Sequence, residues 1–121
     1  MKSVLIVDDE QIVLDVLQRI LNRLGYETRI SDSGEDAMGR FASESFDLVL
    51  MDVLMPEKNG IEVARRMREV KPDQKIIMVT GLGAEAVMAQ NKEANVDYNS
   101  VLSKPFSFDK VRHILQAALD N

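Results

Sequence analysis

Short, wholly apolar runs recur along the chain with amphipathic stretches between them. VLIV at 4–7, LVLM at 48–51 and IIMV at 76–79 put apolar side chains on both faces of an extended segment, as strands buried on both sides do. YETRI at 26–30 and VLS at 101–103 are weaker strand candidates. Behind the first run, QIVLDVLQRILNRLG carries apolar residues at 13, 16, 17, 20, 21 and 24. That is a 3.6-residue period, closed by Gly25 at a C′ position. Helices also fit 34–44, 59–69, about 84–94 and 107–119. Strands alternating with helices predict an α/β fold with a parallel sheet covered on both sides. The pattern begins at Ser3 and ends by Leu119, so residues 1–121 read as one domain.

Three of the helices carry a further hint. The apolar arc of the first is about 200° wide at 100° per residue, with Ile12 and Leu14 at its flanks. Either both widen the contact with the core, or they form a rim where a partner helix docks. The last helix has its apolar stripe at 108, 111, 114, 115, 118 and 119, leaving Lys110, His113 and Ala117 outside it to face a partner. The segment AEAVMAQNKEA at 84–94 is poor in large apolar residues, so a weakly held, movable helix is expected there.

Composition narrows the class. A chain of 121 residues builds a core without metal or disulfide staples. With no cysteine, disulfides and thiolate zinc sites are excluded, which fits a cytoplasmic protein. No apolar run approaches the roughly 20 residues of a membrane span, and MKSVLIVDDE turns acidic too early for a signal peptide. A net charge of −5 argues against direct nucleic-acid binding.

The charge that matters is local. Asp8, Asp9 and Glu10 follow the first strand at once, and like charges about 4 Å apart repel by roughly 4 kcal/mol at an effective dielectric near 20. Asp52 ends the third strand candidate. Ligands of open α/β sheets sit beyond the carboxyl ends of the strands, where strand order reverses. If strands one and three are neighbours, Asp8, Asp9 and Asp52 meet in one crevice. Singly, each has a plainer explanation, Asp9 as a helix N-cap and Asp52 as a turn former. Together they suit a hard cation, and Mg²⁺ is the natural choice, since no His or Cys cluster favours a transition metal. Thr80, after IIMV, and Lys104, before Pro105, point at the same crevice. Acids, a hydroxyl and an ammonium around Mg²⁺ suit a transferring phosphoryl group, with an Asp carboxylate as acceptor. There is no GxxxxGK[ST] loop, and TGLGAEA at 80–86 lacks the third Rossmann glycine, so a nucleotide site is not expected.

These residues resemble the receiver domain of two-component response regulators. The resemblance is carried by LIVDDE (5–10), DLVLMDVLMPEKNG (47–60), TG (80–81) and SKPF (103–106), in that order over essentially the whole chain. It implies a doubly wound, flavodoxin-like (βα)5 domain with sheet order 2-1-3-4-5. It further implies that Asp52 accepts a phosphoryl group from a histidine kinase or a histidine phosphotransfer protein. Asp8, Asp9, Asp52 and the backbone carbonyl of Leu54 would hold Mg²⁺. Lys104 would pair with the phosphoryl oxygens, aimed by a cis peptide before Pro105, and Thr80 would hydrogen-bond one of them. Such a domain catalyses its own phosphorylation and dephosphorylation and switches partner binding, here through the 80–119 face. The donor would dock on the first helix, and the last helices would engage an effector or a second copy.

The chain departs from the family pattern at Val101, where receivers usually carry an aromatic three residues before the lysine; the nearest aromatic is Tyr98. The stretch from Thr80 to Lys104 is also about two residues longer than the family pattern, with Asn99-Ser100 as the candidate insertion. Leu54 and Leu82 flank the reaction centre, and neither side chain can hydrogen-bond an attacking water. A long-lived phosphorylated state is expected from that shielding. Two other classes share the fold: a receiver that binds partners without phosphorylation, and a flavodoxin-type cofactor binder, which DDEQ at 8–11 disfavours by repelling phosphate. The pattern reads as a stand-alone receiver or as a piece of a longer regulator.

Overall fold

The computed structural model describes residues 1–55, 59–81 and 100–119. Five parallel strands form one sheet: β1 (Ser3–Val7), β2 (Glu27–Ser31), β3 (Leu48–Asp52), β4 (Ile76–Thr80) and β5 (Ser100–Ser103), in the order β2-β1-β3-β4-β5. Four helices are described: α1 (Gln11–Arg23), α2 (Gly34–Ser43), α3 (Gly60–Val70) and Phe108–Leu119, hereafter α4. The expected helix near 84–94, together with Leu82, Tyr98, Asn99 and Pro56, lies outside the described residues.

The apolar runs are buried on both faces because alternate residues enter two separate cores. Leu5, Val7, Val49, Met51, Ile76 and Met78 pack with Ala37 and Phe41 of α2 and Ile61, Ala64 and Met67 of α3. Val4, Ile6, Leu48, Leu50, Ile77 and Val79 pack with Leu14, Leu17 and Leu21 of α1 and Val111, Leu115 and Leu119 of α4. The period of two along a strand thus divides each run between the two helical layers.

Local chemistry sets the helix ends, and the first helix closes at Gly25 as expected. Gly25 adopts φ 96°. The Tyr26 N–H donates to the Leu21 carbonyl and the Gly25 N–H to the Asn22 carbonyl, at 3.0 and 3.1 Å, the bond pattern of a Schellman C-cap. Ser33 caps α2, its hydroxyl accepting from the Asp36 N–H at 3.1 Å. Asn59 caps α3 through the Ile61 N–H at 2.8 Å, so it precedes the helix expected from 59 rather than opening it.

Two expectations for α1 are corrected. Leu14 is 1% exposed and belongs to the core, so it is no part of a docking rim. The large apolar residues that α1 exposes are Ile12 at 77% and Val16 at 41%, so Val16 keeps the helical spacing but not the burial of its neighbours. The helix sits rotated so that 14, 17 and 21 face the sheet. An arc of about 200° is wider than one packing contact, and only the seating of α1 against α4 and the sheet selects which part of it is buried. Asp9 is likewise not the N-cap of α1, a position taken by Glu10.

Candidate functional site

Strand register assembles the site. Val7 pairs with Met51, Asp52 with Val79, and Thr80 with Ser103. Asp8 therefore emerges beside Asp52, and Lys104 emerges beyond Thr80, along one carboxyl edge of strands spaced about 4.8 Å apart. The Lys104 N–H donates to the Thr80 carbonyl at 2.7 Å, extending the β4–β5 ladder to the lysine itself. The Lys104–Pro105 peptide is cis.

Asp8 is 1% exposed and Asp52 4%. One Asp8 oxygen, Oδ1, accepts the Glu10 N–H at 2.9 Å, and the Asp8 N–H donates to the Ser31 carbonyl at 3.1 Å, so the turn is held from both sides. The Lys104 Nζ lies 3.2 Å from Asp8 Oδ2, 3.5 Å from Asp52 Oδ1 and 3.6 Å from Glu10 Oε1. Its approach to Asp8 Oδ2 is close enough for an ion pair but lacks the alignment of a hydrogen bond, so that buried oxygen has no hydrogen-bond donor. Asp9, at the surface, adds to the crowding of negative charge at the Asp52 carboxyl. Ligand oxygens of Asp8, Asp9 and Glu10 lie within 4.8 Å of one another.

One ammonium does not balance these acids. Burial, and then the neighbouring Asp8 charge, push the Asp52 carboxyl from 3.8 up to about 7. Burial also raises Asp8, against the Glu10 N–H and the Lys104 charge. For Lys104, burial works against the charge, but Asp52 and Asp8 outweigh it and hold the ammonium above 10.5. A buried carboxylate oxygen without a donor, in an all-oxygen cluster short of positive charge, fits a small hard cation.

The remaining expected residues are near at hand. Thr80 is buried at the end of β4. Leu54 is half-exposed and bridges Asn59. The hydrogen bond closing that bridge runs from the Gly60 N–H to the Val53 carbonyl at 2.7 Å, which does not consume the Leu54 carbonyl. Val101 pairs with Met78 and packs, partly buried, against the α2/α3 core. Ser100 pairs with Ile77 as the first residue of β5.

With this geometry in hand, the comparisons are unambiguous. The pattern of the response regulator receiver domain matches residues 4–116. The chain belongs to that family. It is 39% identical over 107 residues to the response regulator receiver protein CpdR of Brucella abortus (strain 2308), covering 88% of this chain and 87% of CpdR. It is 34% identical to the alkaline phosphatase synthesis transcriptional regulatory protein PhoP of Bacillus subtilis (strain 168), covering 98% of this chain but 48% of PhoP. The chain thus spans about half of that longer regulator. The response regulator TrrA of Thermotoga maritima, solved in complex with Mg²⁺ and BeF, superposes with a TM-score of 0.87 at 34% identity, covering 98% of this chain and 100% of TrrA. The chemotaxis protein CheY4 of Vibrio cholerae superposes with a TM-score of 0.90 at 26% identity, covering 98% and 99% of the two chains. Receivers of two-component systems are signalling phosphoacceptors, modified on an aspartate.

Two residues at the receiver's acidic edge make contacts that the sequence does not reveal. Glu10 joins the Lys104 cluster, and its signal was the third acid in a row. Gly60 sits against the Asp52 backbone, and its signal was the Asn59-Gly60 pair that follows the third strand. No helix of the described residues is long and apolar enough to cross a membrane.

Proposed function

We propose that Asp52 is the phosphoacceptor and that Asp8, Asp9, Asp52 and the Leu54 carbonyl hold Mg²⁺. The observation that carries this reading is that Asp8 and Asp52 share one ammonium, the Lys104 Nζ lying 3.2 Å from an oxygen of the first and 3.5 Å from an oxygen of the second. Bound there, Mg²⁺ would neutralise charge on the acids and on the incoming phosphoryl oxygens. An Asp52 oxygen attacks phosphorus as the bond to the donor histidine nitrogen breaks, and the imidazole leaves with a proton. Lys104 follows the negative charge onto the phosphoryl group, and the Thr80 hydroxyl donates to one of its oxygens. In the reverse sense, water attacks phosphorus, releasing phosphate and restoring the carboxylate, so the domain catalyses its own dephosphorylation. Leu54, half-exposed, offers that water no hydrogen bond, which favours a long-lived phosphorylated state.

The donor, a histidine kinase or histidine phosphotransfer protein, docks on the α1 rim. That rim is now Ile12 with Val16, one turn apart, and excludes Leu14. Lys110, His113 and Ala117, all on the exposed side of α4, belong to the face that engages an effector or a second copy. The exchange is assigned to the cytoplasm, without direct contact to nucleic acid.

Intact mass after acetyl phosphate and Mg²⁺ tests the chemistry. Wild type is expected to gain one phosphoryl mass and Asp52→Ala none. No gain in wild type would favour a partner-binding receiver that is not phosphorylated. The docking face is tested separately. Ile12→Ala is expected to change stability by no more than about 0.5 kcal/mol while slowing transfer from a phosphorylated kinase. Leu14→Ala should cost about 2–5 kcal/mol, read from urea denaturation. A kinase transfer rate unchanged in Ile12→Ala would remove the rim from the reading.

A further inference from the structure

Glu10 occupies the N-cap of α1, with extended backbone angles and no capping bond from its side chain. Glutamate is too long to be a good cap, and aspartate or serine would serve the helix better. The Glu10 backbone is nevertheless pinned to the acidic edge, its N–H donating to Asp8 Oδ1 at 2.9 Å and its carbonyl opening α1 by accepting the Leu14 N–H at 3.1 Å. So anchored, its carboxylate reaches Lys104, with Oε1 3.6 Å from Nζ. The three acids around that ammonium differ in access. Asp8 and Asp52 are buried, whereas the Glu10 side chain is 62% exposed.

We propose that Glu10 is a positioning residue, a rim clamp that holds Lys104 in the unphosphorylated receiver and must release it when a phosphoryl group arrives on Asp52. This rests on the phosphoacceptor reading above. Lys104 cannot serve Glu10, Asp8 and new phosphoryl oxygens together at full strength, and the exposed Glu10 contact is the cheapest to give up. The clamp therefore competes with the phosphoryl group for one cation. It biases the receiver toward its resting state without touching the acceptor.

The test separates contact from charge. Glu10→Gln removes the charge, whereas Glu10→Asp keeps it but retracts the carboxylate by one methylene, beyond ion-pair reach of Lys104. With saturating Mg²⁺, beryllofluoride binding is titrated through its ¹⁹F resonances, and the Lys104 Nζ and Cε resonances are followed before beryllofluoride is added. Both variants are expected to bind beryllofluoride about two- to fivefold more tightly than wild type, the range of an exposed ion pair. Both should also shift the Lys104 resonances of the free protein. Unshifted Lys104 resonances, or a Glu10→Asp variant with wild-type affinity, would overturn the clamp while leaving the phosphoacceptor reading intact. A wild type that binds no beryllofluoride would overturn both.

Discussion

Asp52→Asn is expected to stabilise the cation-free protein at pH 8 by roughly 2–4 kcal/mol while abolishing phosphoryl uptake. The carboxyl is 4% exposed, and it is pushed from 3.8 to about 7 by burial first and by Asp8 second. At about 1.4 kcal/mol per pKa unit, that displacement amounts to roughly 4 kcal/mol as an upper figure. The sign follows from proton counting. Between about pH 4 and pH 7 the unfolded chain has released this proton while the folded protein keeps it, so stability falls as pH rises. Above about 7 the folded protein has ionised too, and the loss is complete. The Asn variant carries no such proton and loses most of the slope, retaining what the raised Asp8 contributes. Melting curves at pH 5 and pH 8 in EDTA should show wild type losing about 10 °C, and the variant far less. Millimolar Mg²⁺ should restore wild type at pH 8 and leave Asp52→Asn nearly unchanged. Equal pH dependence in the two proteins would contradict the crowded-acid description of the site.

The second large effect is expected at Gly60, the first residue of α3. Its N–H donates to the Val53 carbonyl at 2.7 Å, which draws the helix start against the end of β3. A Cβ built there would lie 1.8 Å from the Asp52 carbonyl oxygen, 2.8 Å from its carbonyl carbon and 3.0 Å from Met51 Cγ. Two of those atoms are backbone of a strand buried on both faces, so neither can swing aside. Gly60→Ala must push α3 away from β3 or displace the Asp52 backbone, at a cost of about 3 kcal/mol or more. Because the displaced backbone carries the proposed acceptor, phosphoryl uptake should fall even at temperatures where the variant is folded. Gly39, inside α2, is the matched control. An added Cβ there meets nothing within 4 Å, and Gly39→Ala should stabilise by about 0.5–1 kcal/mol, as expected for glycine in a helix interior. If urea denaturation gave the two alanine variants similar stabilities, the close approach of α3 to the acceptor strand would not exist.

The candidate site was legible to the extent that each residue advertised itself locally. Asp8, Asp52, Thr80 and Lys104 each stand at the end of an apolar run, and a strand's carboxyl end is where an α/β sheet puts its ligand. The cap at Gly25 is equally local, since the residue's own φ preference decides it. Glu10 was not legible as a Lys104 partner, because 94 positions separate the two in the chain. Gly60 was legible as a turn glycine but not as the residue on which Asp52 rests.

By itself, the sequence determined the types and order of the described elements and the two-sided burial of the central strands, because periods of two and 3.6 residues are properties of neighbouring positions. Only the tertiary structure decided which part of the wide apolar arc of α1 meets the sheet, burying Leu14 and leaving Ile12 and Val16 outside. The sheet order implied by the family resemblance is the observed one, but only the tertiary structure set the register, with Val7 opposite Met51, that brings Asp8 and Asp52 to a single lysine. Packing and register depend on every element that competes for the same space, and no local pattern encodes the outcome of that competition.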